Sequence, residues 1–185
     1  MIGAIIKLGI AWQVGINARE TIERHNYWKM AREYCDSVGK PILLIGMRKW
    51  PWLPPNGDIT LDIDQRVENI EGGICADERD IPFGDKVFGT VINEHTLEHL
   101  DTPEDVEVAV NECVRVADIA IFIAPSPYNI SNLGNPKHPL RLWFDQVNNK
   151  IRVEKNPYRL PIGQVMVSED NAPRIEKIGN GFIIT

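Results

Sequence analysis

The chain has 185 residues, 43% apolar and 25% charged, so it has the size and composition of one domain with a substantial core. Its formal net charge of -6 and its pI near 5.3 provide no basic field for a phosphate backbone, so nucleic acid is not expected as a partner. Its three cysteines, Cys35, Cys75 and Cys113, form neither a CxxC pair for zinc nor an even disulfide set, which indicates reduced thiols and a cytoplasmic location.

Residues 1–16 are apolar except for Lys7 and Gln13, and we separate this segment from a domain formed by residues 17–185. The segment is short for a hydrocarbon core of about 30 Å, and no charge precedes it as in a secretory signal. Three alternatives stay open: a helix packed on the domain or on a partner protein, a membrane anchor, and disorder or a wrongly assigned gene start. An anchor would place the protein peripherally on the inner face of a membrane. Basic residues suited to that flank follow at Arg19, Arg24, Lys29 and Arg32.

A helix is predicted over residues 17–36, because its apolar side chains recur at helical spacing and Gly39 would end it. The apolar run PILLIG, residues 41–46, is typical of a strand covered on both faces. A second helix is predicted over residues 101–116, with Thr102 as its cap. Strands are also predicted over residues 59–63, 87–92 and 119–124, and a closing hairpin around residues 179–181. Alternating strands and crossovers predict an α/β fold with a mostly parallel sheet.

The first crossover, residues 47–57, cannot form an ordinary helix, because Pro51, Pro54 and Pro55 interrupt it. We therefore predict an extended loop across the sheet edge. Trp50 and Trp52 lie in this loop. They are predicted to cover apolar surface in place of the missing helix; the alternative is that they form a wall of a ligand site.

Four stretches carry a resemblance to a known family: ILLIGMRKW from Ile42, ITLDID from Ile59, ADERDIPFGDKVFG from Ala76, and LEH from Leu97. Over about residues 39–127 the chain resembles the class I S-adenosylmethionine-dependent methyltransferases of the group called type 11. The resemblance implies a Rossmann-like sheet with a C-terminal antiparallel hairpin. Two departures stand out: only Gly46 remains of the family's glycine-rich turn, and Gly89 replaces an aspartate.

The resemblance implies S-adenosylmethionine as cofactor. It places Asp62 on the ribose hydroxyls and Asp77 on the adenine amino group, with backbone near Glu78 at the ring edge. Gly46 would admit the amino-acid end of the cofactor. Taken alone, such aspartates would more often be solvated or capping residues. The cofactor-binding residues implied in this way are Gly46, Met47, Asp62, Ile63, Asp77, Glu78 and Asn93.

Glu94 and His95 follow the strand predicted over residues 87–92 and are the candidate catalytic residues. A sulfonium methyl group is already activated, so alignment supplies much of the rate, and a base is needed only for a protonated acceptor. The alternatives for this pair are cofactor lining and loop hydrogen bonding. We interpret His99 as a structural residue at a helix start.

Residues 95–99, HTLEH, also match the HxxEH pattern of inverted zinc peptidases. This pattern would place His95 and His99 on one helical face with Glu98 as a general base, and it needs a third ligand from downstream. A zinc hydrolase is therefore a remote alternative, and we assign no metal in the main interpretation.

Beyond residue 127 the resemblance fades into a loop-rich segment that commonly helps to form the acceptor site in this fold. Tyr128, His138 and Arg141 are the candidate acceptor-binding residues, with surface packing as the alternative, and Trp143 is a weaker candidate. The acceptor itself, a small molecule or a protein, is not identified. Two functional hypotheses follow: a small methyltransferase, and a methyltransferase-like subunit without turnover that has a structural or anchoring role in a complex.

Overall fold

The computed structural model describes residues 2–50, 52–125, 137–145, 150–155, 160–165, 175–178 and 181–184. Its helices are α1 (Ile2–Val38), α2 (Pro103–Val116) and two short 3₁₀ helices, Gln65–Asn69 and Leu97–His99. The strands of the first half are β1 (Ile42–Ile45), β2 (Ile59–Asp62), β3 (Gly73–Cys75), β4 (Phe88–Glu94) and β5 (Ala117–Ile123). The strands that follow are β6 (Leu140–Asp145), β7 (Lys150–Lys155), β8 (Leu160–Val165), β9 (Ile175–Ile178) and β10 (Gly181–Ile184).

The main sheet has seven strands in the order β3-β2-β1-β4-β5-β10-β9. The first five are parallel, and β10 is antiparallel to both β5 and β9. The parallel register brings the carboxyl ends of neighbouring strands together: Ile45 pairs with Leu61 and Asn93, and Asp62 pairs with Cys75. This topology confirms the predicted Rossmann-like fold, including its C-terminal antiparallel hairpin.

A second sheet was not predicted. Strands β6, β7 and β8 form a three-stranded antiparallel sheet in a segment that the sequence analysis treated as loop-rich. Its stabilisation is tertiary, because Leu140, Leu142, Ile151 and Val153 are buried in the core on the α2 side of the main sheet. The glycine- and proline-rich stretches nearby masked the short alternating patterns of these strands.

The main sheet separates two apolar clusters, because successive strand side chains point to opposite faces. On one face, Tyr27, Ala31 and Cys35 of α1 pack against Ile42 and Leu44 of β1, among others. On the other face, α2 packs through its buried side chains against the remaining β1 residues and their neighbours; the α2 residues are Val106, Ala109, Val110, Cys113 and Val116. All three cysteines of the chain are free.

Helix α1 is longer than predicted, since it begins at Ile2 and runs through residue 16 without a break. Residues 8–14 do not pack on the domain: Leu8 is 71% exposed and Trp12 is 59% exposed. Within the described part of the chain, no helix is both long and apolar enough to cross a membrane. The division at residue 16, and contact of this segment with a partner protein or a membrane surface, stay predictions.

Gly89, one of the two departures from the family pattern, has a packing role. A Cβ atom at this position would lie 2.8 Å from Sγ of Cys35 and 3.3 Å from Cβ of Lys40. The backbone amide of Gly89 also donates to the carbonyl oxygen of Pro41 at 3.0 Å. The glycine therefore allows the end of α1 to approach β4, so its presence is not a sign of a lost cofactor site.

Candidate functional site

A cleft of about 510 Å³ opens at the carboxyl ends of β1 to β4. This is where open parallel sheets bind their ligands, and the volume lies in the range of small-molecule sites. Eight of the sequence-predicted residues line it, namely Gly46, Met47, Asp62, Ile63, Asp77, Glu78, Glu94 and His95. Asn93 is buried and does not line it, and His138 and Arg141 lie outside its lining. Tyr128 lies outside the described residues.

Gly46 forms the turn after β1 with a φ of +92°. A Cβ atom here would lie 2.5 Å from the carbonyl oxygen of Glu94 and 2.9 Å from Cγ2 of Thr96. The backbone amide of Gly46 donates to the carbonyl oxygen of Leu61 at 2.9 Å. The turn therefore needs glycine both for its conformation and for its close approach to β4.

The Asp62 carboxylate is fixed at the tip of β2 by two backbone amides. Oδ2 accepts a hydrogen bond from the amide of Met47 at 2.8 Å, and Oδ1 accepts one from the amide of Asp64 at 2.9 Å. Each carboxylate oxygen has a second lone pair, so both can accept a further hydrogen bond. The next residue, Ile63, lines the cleft with 74% of its surface exposed. The cleft therefore holds an oriented hydrogen-bond acceptor, Asp62, next to an exposed apolar side chain, Ile63.

Asp77 is engaged by an arginine that the sequence analysis missed. Nη2 of Arg79 donates to Oδ2 of Asp77 at 2.6 Å, and Nη1 donates to Asp105 of α2 at 2.7 Å. The Arg79 guanidinium holds the pKa of Asp77 below its usual value. A ligand amino group at Asp77 would therefore share the carboxylate with Arg79. The only local signal was that the arginine follows the aspartate by two positions.

Glu78, Asn93 and Thr96 form a closed polar group. Nδ2 of Asn93 donates to Oε2 of Glu78 at 2.5 Å, and Oγ1 of Thr96 lies 2.7 Å from that oxygen and 2.7 Å from Oδ1 of Asn93. The single hydroxyl hydrogen of Thr96 can serve only one of these two acceptors. A proton on Glu78 completes the ring of hydrogen bonds. Accordingly, burial raises the pKa of Glu78 from 4.5 to about 7.

We expect Glu78 to make the stability of the protein depend on pH. Its folded-state pKa lies above the unfolded value, so its contribution is complete below about pH 4.5 and is lost as the pH rises through about 7. When the pH is raised from about 5 to about 8, the free energy of unfolding should fall more in the wild type than in Glu78→Gln. The extra loss should be on the order of 1.4 kcal/mol for each unit by which the folded-state pKa of Glu78 exceeds its unfolded-state pKa. Urea unfolding at both pH values measures this. Glu71→Gln, at an exposed site, is the control and should lose as much stability as the wild type. An equal loss of stability in wild type and Glu78→Gln would contradict the raised pKa of Glu78.

Glu94 is held by two arginines. Its Oε1 lies 3.2 Å from Nε of Arg24, and its Oε2 accepts a hydrogen bond from Nε of Arg48 at 2.8 Å and lies 2.7 Å from Nη2 of Arg48. The side chains of Glu94 and Arg48 are each only 4% exposed. Arg48 stands where the family that the sequence resembles has a glycine, and its ion pair with Glu94 fixes this turn. The two arginines occupy both carboxylate oxygens, so the geometry favours loop hydrogen bonding for Glu94 over proton transfer.

His95 adopts a left-handed conformation with a φ of +55°, which is uncommon for a residue other than glycine. Its Nε2 contacts Nη2 of Arg24, and its Nδ1 lies 3.3 Å from Oε1 of Glu98. Its backbone amide donates to the carbonyl oxygen of Ile123 at 2.9 Å. His95 is therefore fixed from three sides at the edge of the cleft. Such strained conformations concentrate at functional sites.

The HxxEH expectation is corrected in one respect. Residues 97–99 form a single 3₁₀ turn rather than a helix with His95 and His99 on one face. Among the described residues, the group able to hold a metal is instead Glu98, His99 and His138, with one ligand atom from each within 4.8 Å of the others. Burial lowers the pKa of His138. This residue, predicted for acceptor binding, thus joins a cluster that no sequence spacing indicated.

The two tryptophans of the first crossover do not replace the missing helix. Their rings stack on each other at 5.0 Å, and Trp50 and Trp52 are 60% and 59% exposed. The prediction that they cover apolar surface is therefore wrong, because each indole mainly covers the other. Trp50 lines the cleft, whose opening it leaves accessible.

The fold and the cleft define a Rossmann-like α/β protein with a ligand cleft at the tips of its parallel strands. Residues 59–119, about a third of the chain, match the family model described as a methyltransferase domain. This match confirms the resemblance inferred from the sequence between β2 and the start of β5, and it supports methyl transfer as the general activity. No curated protein matches the chain. The crystal structure of the PH0226 protein from Pyrococcus horikoshii OT3 is similar at a TM-score of 0.43 and 12% identity, covering 87% of this chain and 89% of that chain.

Proposed function

We propose that the protein transfers a methyl group from S-adenosylmethionine to a small-molecule or protein acceptor. The observation that carries this proposal is the juxtaposition of Asp62 and Ile63 in the cleft at the strand tips. Asp62 offers two oriented oxygens with free lone pairs, and Ile63 offers an exposed apolar face. A ribose with two hydroxyls beside a flat base matches both features.

The residues present fit such a ligand. Asp62 would accept from the ribose hydroxyls, Ile63 would pack on the adenine ring, and the turn at Gly46 would leave the backbone open to the amino-acid end. The bound cofactor would supply an activated sulfonium methyl group. Where the acceptor carries a proton, His95 is better suited than Glu94 to remove it, because the carboxylate oxygens of Glu94 are already engaged by Arg24 and Arg48.

Ile63→Ser tests nucleoside binding with the least disturbance of the fold. The side chain is exposed, so we expect an unchanged unfolding temperature but about tenfold weaker binding, equivalent to about 1.4 kcal/mol of lost apolar contact. Calorimetric titration with S-adenosylmethionine and its demethylated product measures the affinity. Val108→Ser, at an exposed α2 position outside the cleft lining, is the matched control and should bind as the wild type does. Equal binding by Ile63→Ser and wild type would refute the placement of adenine on Ile63.

A second candidate is a methyltransferase-like subunit without turnover. It is favoured by the engagement of Asp77 with Arg79 and by the ion pair of Arg48 that replaces the glycine-rich turn. Absence of wild-type binding at millimolar nucleoside would support this alternative. Tight binding that is lost in a folded Asp62→Ala variant would support the enzyme.

A further inference from the structure

We propose that Glu98, His99 and His138 bind one divalent transition-metal ion, with Zn²⁺ as the reference ion, at the border of the cleft. One ligand atom from each residue lies within 4.8 Å of the other two. Ligand atoms around a tetrahedral zinc ion lie about 3.3 Å apart, given metal–ligand distances of about 2.0–2.2 Å. Small side-chain rotations would therefore close the site around an ion.

Glu98 provides the first argument for a cation. The residue is buried at 2% exposure, and neither of its carboxylate oxygens accepts a hydrogen bond within the described residues. The imidazole of His95 lies beside it, with Nδ1 3.3 Å from Oε1. A buried carboxylate without hydrogen bonds is costly unless a cation neutralises it. A bound metal ion would supply that cation.

His99 is already oriented as a metal ligand. Its Nδ1 lies 2.6 Å from the carbonyl oxygen of Lys137, and since a carbonyl only accepts, this nitrogen must donate. The neutral ring then carries its lone pair on Nε2. Ligating histidines characteristically donate their other nitrogen to a carbonyl in this way. The ring of His138 lies 4.7 Å from that of His99 and is nearly perpendicular to it, as two ligands of one ion can be.

The ligand set identifies the class of ion. Two imidazoles and one carboxylate suit zinc and neighbouring first-row metals, whereas Mg²⁺ prefers an all-oxygen shell. Three protein ligands leave a coordination position open, which is the pattern of catalytic rather than structural zinc. Because His99 also lines the cleft, the ion would stand where a ligand could occupy that position.

The test uses the full chain, treated with a chelator and titrated with Zn²⁺ by calorimetry in reducing buffer. We expect one ion bound per chain and a raised unfolding temperature. His99→Gln and His138→Ala should each weaken binding by at least about a hundredfold, since even loss of an outer-shell partner costs about 10–100-fold. His25→Gln, an exposed histidine of α1, is the matched control and should bind as the wild type does. Substitution of Co²⁺ gives an independent readout, because its visible absorption should disappear in the same two variants.

Several outcomes would overturn the assignment. The first is that both His99→Gln and His138→Ala bind Zn²⁺ with wild-type affinity. The second is that His95→Gln loses Zn²⁺ binding while His138→Ala keeps it. The third is that the wild type binds Mg²⁺ more tightly than Zn²⁺. His99 and His138 are not fully buried, so their variants keep the test decisive if Glu98→Gln fails to fold. The titration contains no nucleoside, so it is independent of the proposed methyl transfer.

Discussion

Glu94→Ala is expected to lower the free energy of unfolding by about 3–5 kcal/mol, the usual cost of removing one partner from a buried ion pair. The substitution would leave Arg48 and Arg24 without their shared carboxylate, at side-chain exposures of only 4% and 15%. It would also release the turn after β1 from the end of β4. Urea unfolding with fluorescence detection measures the change, since tryptophans lie in the adjoining loop.

The matched control is Glu33→Ala. Glu33 also pairs with a basic residue, Lys29 at 3.8 Å, but both side chains are largely exposed. Its loss should change stability by no more than about 0.5 kcal/mol. If Glu94→Ala costs no more than Glu33→Ala, the two arginines do not depend on Glu94, and the ion pair is not what fixes the turn.

Gly46→Ala is expected to destabilise the protein by about 3 kcal/mol and to abolish nucleoside binding. An alanine would have to adopt a φ of +92°, and its Cβ would lie 2.5 Å from the carbonyl oxygen of Glu94. Backbone strain alone costs about 1–3 kcal/mol, and overpacking adds a similar amount. Because the clash is with backbone, the turn must move away from β4 and distort the cleft. Thermal unfolding and calorimetric titration measure the two effects.

Gly15→Ala is the control for Gly46→Ala, with the opposite expected sign. No atom lies within 4 Å of a Cβ built at Gly15, which lies inside α1. Alanine should therefore stabilise this helix by about 0.5–1 kcal/mol. A Gly46→Ala protein with wild-type stability and affinity would show that the turn tolerates a side chain, contrary to the packing described above.

Both predictions concern the junction between the first turn and β4. The sequence resembles a family with a glycine-rich turn after β1, but this chain has one glycine there, and Arg48 ties the rest of the turn to Glu94. The turn is therefore held by charge rather than left mobile. Loss of the glycines is compatible with a nucleoside site, because Gly46 still permits the close approach and Asp62 is still oriented by the Met47 amide.

The sequence by itself determined most of the main sheet, without β3, and the position of the cleft. Continuous apolar runs such as Ile42–Ile45 mark strands buried on both faces, and the cap at Thr102 marks the start of α2. Residues that follow parallel strands must lie at one edge, so Glu94 could be assigned to it from the strand pattern, whereas the family resemblance placed Asp62 and Asp77 there. These features depend on local chemistry and on a topology with few alternatives.

Only the tertiary structure decided the partners within the site. Arg24 of α1 reaches Glu94, 70 positions further along the chain, and His138 meets His99 across a segment that carries no recognisable spacing. Arg79 joins Asp77 to Asp105, and the β6–β8 sheet is stabilised by burial against α2. Ion pairs and ligand clusters form between side chains that the fold brings together. Their sequence separation is therefore arbitrary, and no local pattern could have indicated them.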